Sequence, residues 1–322
     1  MMTKATELSD RLPVLYPVPQ QISLLDGEVE FAEDIRLMTR NVMPLVRKTM
    51  RGVLAGAGIK VVANRKKFIV EIEVLEPDRL DLSDVPPKSR DQFYELTIRE
   101  NAVSVRTVGQ EGALRATATL AELLRDKSPD DSMPNLQIRD WPAMPDRGIF
   151  VENKWGPDRM AREDWFALID RLAEARMNRL GIGLYGCWCC QYEGAVTEFL
   201  QVPVPEYPEI HTEKTLTWFS PAENEWKTET YRPRMAEEDF LDEVVAYGRE
   251  KNVTVIPFVN SLGHNTLFPR MIPEISAKDA DGKPTGYGYC LTSPKTREFL
   301  KTFYTGIVER CFPDGADFFH IQ

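Results

Sequence analysis

Nowhere in this chain does an apolar run approach the roughly 20 residues needed to cross a bilayer. Its opening, MMTKATELSDRLPVLYPVPQ, also lacks the apolar stretch of a secretion signal. Both absences point to a cytoplasmic protein with no membrane partner. Positive charge is short as well: 40 Lys and Arg stand against 50 Asp and Glu, a net charge of −10. Nucleic-acid binding neutralises phosphate with clustered Lys and Arg, so no nucleic acid is expected as a partner. No P-loop, GxGxxG or GxSxG elbow occurs, which leaves nucleotide-binding and serine-hydrolase readings without an anchor.

Cysteine and histidine are scarce. The five cysteines, an odd number, are Cys187, Cys189, Cys190, Cys290 and Cys311. Cys187-Trp188-Cys189-Cys190 suggests a metal site, but zinc motifs space paired cysteines by two to four residues and add a second pair or histidines. Reduced thiols, no metal and no cofactor are therefore expected, in keeping with a reducing compartment. The three histidines are His211, His264 and His320.

What is present is ordinary for a soluble two-domain chain: 322 residues, 43% hydrophobic and 28% charged, enough for sizeable cores. Residues 1–125 read as a small α+β domain. Strands are expected over 22–31, 35–38, 68–74, 93–99 and 103–107, the last two joined as a hairpin by Glu100-Asn101-Ala102. Helices are expected over 45–57 and 111–125, the second with Leu114, Ala118, Ala121 and Leu124 on one stripe. Nothing in this domain looks catalytic. The polar, proline-bearing stretch DKSPDDSMP over 126–134 reads as a linker, and with a short strand expected over 135–139 leading to Asp140-Trp141-Pro142 it makes up a linker and barrel opening over 126–146.

From Arg147 the pattern changes to strand-helix alternation: strands over 148–151, 180–185, 253–259 and 317–321, helices over 162–177, 237–251 and from Ser293-Pro294 onward. That favours parallel strands with crossover helices. The fold class expected is α/β, a small N-terminal α+β domain followed by the first half of a (β/α)8 barrel over 147–322. A whole barrel takes about 250 residues, so four strands in this length make a partial barrel, truncated at strand four.

Barrel chemistry gathers where strands end. Glu152 closes the first strand as polar lining. His264 follows Gly263 in the loop after the third strand, and His320 lies in the fourth. Arg147, at the start of the first strand, offers a fork of donors suited to vicinal hydroxyls, or equally a salt bridge at the barrel floor. The long insertion over 186–235 carries Trp188, Tyr192, Trp218, Phe219 and Trp226, which either stack on the apolar faces of sugars or pack the insertion onto the barrel. A glycosidase needs two carboxyl groups around the scissile bond, and Glu152 is the one carboxylate found at a strand end.

Specific stretches carry a resemblance. LYPVPQ near the start, the run DQFYELTIRENAVSVRTVGQEGALRATATLAELL over 91–124 and DWPAMPDRG leading into the first barrel strand resemble glycoside hydrolase family 20, the β-N-acetylhexosaminidases. Arg147 matches the family arginine that binds hydroxyls of the terminal sugar, and Met177-Asn178 matches its MN pair. Leu262-Gly263-His264 matches the PGH loop with leucine for proline. His320-Ile321-Gln322 begins like HIGGDE, with Gln322 where glycine is usual.

Gly183-Leu184-Tyr185-Gly186-Cys187-Trp188 departs from the histidine- and aspartate-bearing end of the family's second strand. The resemblance implies a substrate-assisted retaining hydrolase, in which a Glu is the general acid and an Asp orients the substrate's acetamido nucleophile. Those two carboxylates are expected just after Gln322, so no catalytic residue is assigned within this chain and little hydrolysis is expected of it alone. Arg147, Glu152, His264, His320 and Trp188 are the expected carbohydrate-binding residues. A glycosidase of the same architecture acting on another sugar, or a catalytically inactive carbohydrate-binding protein, are the alternatives.

Overall fold

A computed structural model describes residues 14–64, 68–125, 131–151, 156–187 and 198–321. Two compact units divide the chain, residues 1–146 and 147–322.

The first unit is built on a seven-stranded sheet. Its strands are β1 (Gln21–Glu30), β2 (Asp34–Arg40), β3 (Lys60–Val61), β4 (Ile69–Val74), β5 (Tyr94–Arg99), β6 (Ala102–Thr107) and β7 (Ser132–Asp140), in the order β1-β7-β5-β6-β4-β2-β3. Helices α1 (Pro44–Gly56) and α2 (Gln110–Leu124) share its core. Alternation along the strands explains which face is covered: Val70 and Ile72, Leu96 and Ile98, Val103 and Val105, Leu136 and Ile138 are all fully buried. The helices answer with Val46, Met50 and Leu54 on α1 and Ala116, Leu120 and Leu123 on α2. The expected hairpin is β5–β6, antiparallel from Arg99↔Ala102 to Tyr94↔Thr107, and Glu100 takes the positive φ of 57° its turn requires.

The short strand expected over 135–139 is longer in the structure: β7 is a nine-residue strand that takes in Ser132 to Pro134 of the expected linker and pairs with both β1 and β5. Its polar residues have internal partners. Asn135 is buried and donates from Nδ2 to the Asp26 carbonyl at 2.7 Å, at the irregularity between Leu24 and Glu28 of β1. Tyr94 is fully buried, with its hydroxyl 2.6 Å from Thr119 Oγ1 and 3.0 Å from Asp140 Oδ2. Aromatic area fills the core while the hydroxyl ties β5 to α2 and to the end of β7.

The second unit alternates strand and helix: β8 (Gly148–Val151), α3 (Arg162–Glu174), β9 (Arg179–Cys187), then β10 (Glu198–Leu200), β11 (Lys214–Ser220), β12 (Glu225–Tyr231) and α4 (Arg234–Glu238) in the insertion, α5 (Leu241–Glu250), β13 (Thr254–Val259), α6 (Leu267–Met271), β14 (Ser276–Lys278), β15 (Pro284–Tyr289), α7 (Pro294–Cys311) and β16 (His320–Ile321). Strands β8, β9, β13 and β16 lie side by side and parallel, and β10 adds antiparallel to the end of β9. Leu180, Ile182, Val255 and Val259 join one core with Trp165 and Ile169 of α3, Val244 of α5 and Phe299 and Phe303 of α7. Helix α3 starts where Asp164 Oδ2 reaches back to the Ala161 amide at 2.8 Å, covering an N-terminal donor.

Three boundaries differ from the sequence reading. The helix expected over 237–251 is broken at Asp239, whose φ is 48° and whose carboxylate accepts from Arg310. Ser293 precedes α7 with extended backbone but without a side-chain capping bond, while Pro294 occupies the first turn as expected. The fourth strand is confined to His320–Ile321 because the approach to it stands off from β13. A cavity of about 290 Å³ lies there, lined by Thr254, Val255, Asp314, Gly315, Ala316 and Asp317. Among the described residues no helix is long and apolar enough to cross a membrane.

Tyr94→Phe keeps the buried ring but strands the partners of its hydroxyl, so it should cost about 1–2 kcal/mol in urea unfolding. An unchanged midpoint would show that these two bonds do not hold the first sheet together.

Candidate functional site

The register of the parallel strands defines one edge. Val259 pairs with both Tyr185 and Ile321, so β9, β13 and β16 are level there, while Val151, the last described residue of β8, pairs with Ile182 and is level with Pro257. Just below this edge, on the face turned away from the helices, three rings form a row. Phe150 of β8 lies 4.3 Å from Phe258 of β13, and Phe258 lies 4.3 Å from His320 of β16 with planes only 19° apart. Phe150 and Phe258 meet across the intervening strand because β9 has glycine there. A Cβ on Gly181 would stand 2.7 Å from the Phe258 ring and 3.0 Å from that of Phe150. Glycine thus leaves room for a side-chain layer that its neighbours fill.

Above this edge the loop over 260–266 carries His264, which is exposed and has a positive φ of 49°. Such a conformation is costly for a residue with a Cβ and persists only where surroundings enforce it. The enforcement is visible. Asn260 Nδ2 donates to the His264 carbonyl at 3.3 Å, buried Asn265 donates to the Ser261 carbonyl, and the Asn265 carbonyl accepts from the Gly288 amide at 3.3 Å.

The carboxylate of Glu198, only 2% exposed, fastens the end of this loop. Its Oε2 accepts from the Tyr185 hydroxyl at 3.0 Å, from the Thr266 amide at 2.6 Å and from the Leu267 amide, while Oε1 accepts from the Thr266 hydroxyl at 2.8 Å. Buried carboxylates need this saturation, and an acceptor-only group matches four donors. Burial and then the Glu198 charge push the Tyr185 phenol well above its ordinary value. Burial, Tyr304 and Glu198 do the same to Tyr289. Glu198 therefore joins the end of β9 to the loop after β13. Sequence reading missed it, because a glutamate within a long, polar insertion looks solvated. The short apolar run EFLQVPV that it opens was the available signal.

A second buried carboxylate anchors the insertion. Asp158, 1% exposed, follows β8 and accepts from Lys214 Nζ at 3.0 Å and the Tyr231 hydroxyl at 2.6 Å. Lys214 and Tyr231 are the opposed residues at the base of the β11–β12 hairpin. Burial first, then the bond to Asp158, raises the Tyr231 phenol strongly. The Arg159 guanidinium covers its ring at 4.5 Å and pairs with Glu229 at 2.9 Å.

Of the expected carbohydrate-binding residues, His264 and His320 fall at the C-terminal ends of neighbouring strands β13 and β16. Arg147 stands elsewhere. It precedes Gly148, which is level with Arg179 and hence with Thr254, so along β13 it lies five residues below the Phe258–His320 pair, roughly 16 Å at strand rise. Its Nε and Nη2 donate to the Arg176 carbonyl at 3.1 and 3.0 Å, and its amide donates to Asn178 Oδ1 at 2.9 Å. The structure thus does not bring Arg147 together with the two histidines. Glu152, Trp188 and Gln322 lie outside the described residues, as do Tyr192, Cys189 and Cys190. Among the described residues no three His, Cys, Asp or Glu side chains gather as metal ligands.

Comparison with known proteins defines the class. The family domain described as "Glycosyl hydrolase family 20, domain 2" matches residues 12–141, and "Glycosyl hydrolase family 20, catalytic domain" matches residues 160–321. The chain belongs to glycoside hydrolase family 20. A β-hexosaminidase of Akkermansia muciniphila is 27% identical over 243 residues, covering 72% of this chain and 45% of the relative. An N,N'-diacetylchitobiase of Vibrio harveyi is 21% identical over 259 residues, covering 78% of this chain and 27% of the relative. This chain therefore spans less than half the length of these relatives. Its fold is similar to that of an exo-β-N-acetylglucosaminidase of Vibrio harveyi solved with N-acetylglucosamine, with a TM-score of 0.68 at 18% identity over 97% of this chain and 47% of that one.

Glu198→Gln puts an amide donor among donors and should cost about 2 kcal/mol or more in chemical denaturation, with faster proteolysis in the 260–266 loop. Equal stability and equal cleavage would remove Glu198 as the fastener. Gly181→Ala should cost about 1–3 kcal/mol as the rings of Phe150 and Phe258 are forced apart, and unaltered unfolding would contradict the close approach. Tyr185 and Tyr289 stay protonated in the fold above the pH at which the unfolded chain ionises, so they contribute stability below the ordinary phenol value of 10.0 that is lost as pH rises beyond it. Unfolding free energy should fall above that pH, and less steeply in Tyr185→Phe. Identical alkaline slopes would rule out Tyr185 as a source.

Proposed function

We propose that this chain is part of a β-N-acetylhexosaminidase that removes terminal N-acetylhexosamine from a carbohydrate. The observation that carries the reading is the match of the family's catalytic domain to residues 160–321. The names of the relatives support N-acetylhexosamine as the sugar. In this reading β8, β9, β13 and β16 are the first four strands of a barrel, and 147–322 is its first half. The general acid and the carboxylate that orients the acetamido group follow His320-Ile321-Gln322, beyond this chain.

Within that frame the residues here shape and position. His320, stacked on Phe258, presents an imidazole edge just before the place assigned to the carboxylates. His264 is held outward on a loop whose backbone is fixed by Asn260, Asn265 and Glu198. The acetamido oxygen attacks the anomeric carbon as the general acid protonates the leaving oxygen, and a water then opens the cyclic intermediate with net retention. A rigid rim helps because misplacement of the sugar relative to its own nucleophile lowers the rate steeply.

A second reading, a carbohydrate-binding protein without catalysis, is favoured by Gly183 to Trp188, which replace the family's histidine- and aspartate-bearing stretch. Turnover of an aryl N-acetylglucosaminide separates the two. We expect none from residues 1–322 and hydrolysis once the chain is extended through the second half of the barrel. Turnover by the 322-residue chain would refute the placement of the acid. Sugar binding without turnover in the extended protein would establish the second reading.

A further inference from the structure

The β11–β12 hairpin leaves the unit on the side where β9 ends, since it lies in the connection from β9 to α5, and its base is fixed to Asp158 in the connection from β8 to α3. Its two faces differ completely. One carries Lys214, Leu216 and Trp218 opposite Tyr231, Glu229 and Lys227, all half-buried. The other carries Thr215↔Thr230, Thr217↔Thr228 and Phe219↔Trp226, and all six residues are exposed. These three pairs carry no ionisable group, and one step toward the base the same face ends in an ion pair between Arg232 and Glu213 at 2.9 Å.

The arrangement has internal order. The hydroxyls of Thr215 and Thr230 are 2.9 Å apart and those of Thr217 and Thr228 are 3.0 Å apart. In each pair one hydroxyl donates to the other, which leaves the acceptor's own hydrogen and lone pairs on both oxygens for an outside partner. Phe219 and Trp226 meet edge to face at 5.7 Å and 69°, which sets the Trp226 indole rigidly while 72% of the residue remains exposed. From Thr215 to Phe219 the face extends about 14 Å. Cross-strand threonine pairs and aromatic pairs both stabilise hairpins, and here they also leave the Trp226 indole uncovered at the end of the row.

We propose that this face is an accessory binding surface for a neutral, hydroxyl-rich glycan chain, with Trp226 stacking on a sugar ring and the four threonine hydroxyls exchanging hydrogen bonds with sugar hydroxyls or acetamido groups. The threonine and aromatic pairs are uncharged and the flanking Arg232 is neutralised by Glu213, which favours a neutral ligand over phosphate, uronate or an ionic peptide. The base pinned by Asp158 favours a ligand bound without rearrangement. The assignment rests on the carbohydrate reading above and adds a second, non-catalytic contact to it, on the same side of the unit as the strand ends. Its role is to hold a longer glycan near the site that acts on its terminus.

The test is titration of the 322-residue chain with a β-1,4-linked N-acetylglucosamine tetramer, followed by tryptophan fluorescence and calorimetry. Trp226→Ala and the double variant Thr217→Val/Thr228→Val alter only exposed residues, and thermal unfolding checks that both are folded. We expect saturable binding of the tetramer, at least tenfold weaker binding in Trp226→Ala, weaker binding in the double variant and no response to an oligogalacturonide. Equal affinity in wild type and Trp226→Ala, or no binding at all, would overturn the proposal. So would concentration-dependent self-association that Trp226→Ala abolishes without any response to the tetramer, which would assign the face to a second copy of the chain. Hydrolysis by the extended protein is read separately. Its failure with Trp226-dependent binding intact removes the hydrolase reading alone, and hydrolysis without such binding removes this surface alone.

Discussion

A carboxylate placed inside a protein has to receive hydrogen bonds from every direction it faces, or the fold loses more from desolvation than it gains from packing. Glu198 meets that demand by drawing on three separated parts of the chain: its own short strand, Tyr185 near the end of β9, and the Thr266–Leu267 backbone after β13. None of these can shift alone without orphaning a buried polar group. The loop that bears His264 inherits that rigidity through Asn260 and Asn265, and so keeps a left-handed histidine that loose backbone would relax. Asp158 repeats the device on the neighbouring connection, fixing the base of the β11–β12 hairpin through Lys214 and Tyr231. Two buried carboxylates thus order much of the described C-terminal side of the second unit.

Beneath the loops the constraint is steric. The row Phe150, Phe258 and His320 depends on Gly181, whose missing side chain lets rings from two different strands meet over a third. Apolar side chains on the opposite face of the same strands pack into helices α3, α5 and α7. The parallel sheet therefore has one face closed by helices and another that carries aromatic and imidazole rings.

Much of this was legible in the sequence where one physical signal dominated. Strand-helix alternation after Arg147, helical spacing in Leu114 to Leu124 and the turn at Glu100-Asn101 each follow from local periodicity. The features missed depend on partners distant in sequence. Ser132, Met133 and Pro134 look like linker residues until β1 pairs with them and lengthens the strand that begins at Asn135 in the sequence. Glu198 looks solvated until Tyr185 and the Thr266–Leu267 backbone surround it. Arg147 is a related case: the RG motif is legible, but the bonds from its guanidinium to the Arg176 carbonyl depend on a partner 29 residues away. The hairpin was readable, since KTLTWFS and EWKTETY alternate with period two around Pro221 to Asn224, but its even spread of threonine and aromatic residues resembled loop composition.

The proposed hydrolase releases its sugar with net retention at the anomeric carbon. The measurement that reaches it most directly is proton NMR of the first sugar released from a β-linked N-acetylglucosaminide by the extended protein. The account predicts that the β-anomer forms first and mutarotates afterwards. An α-anomer as the initial product would contradict it.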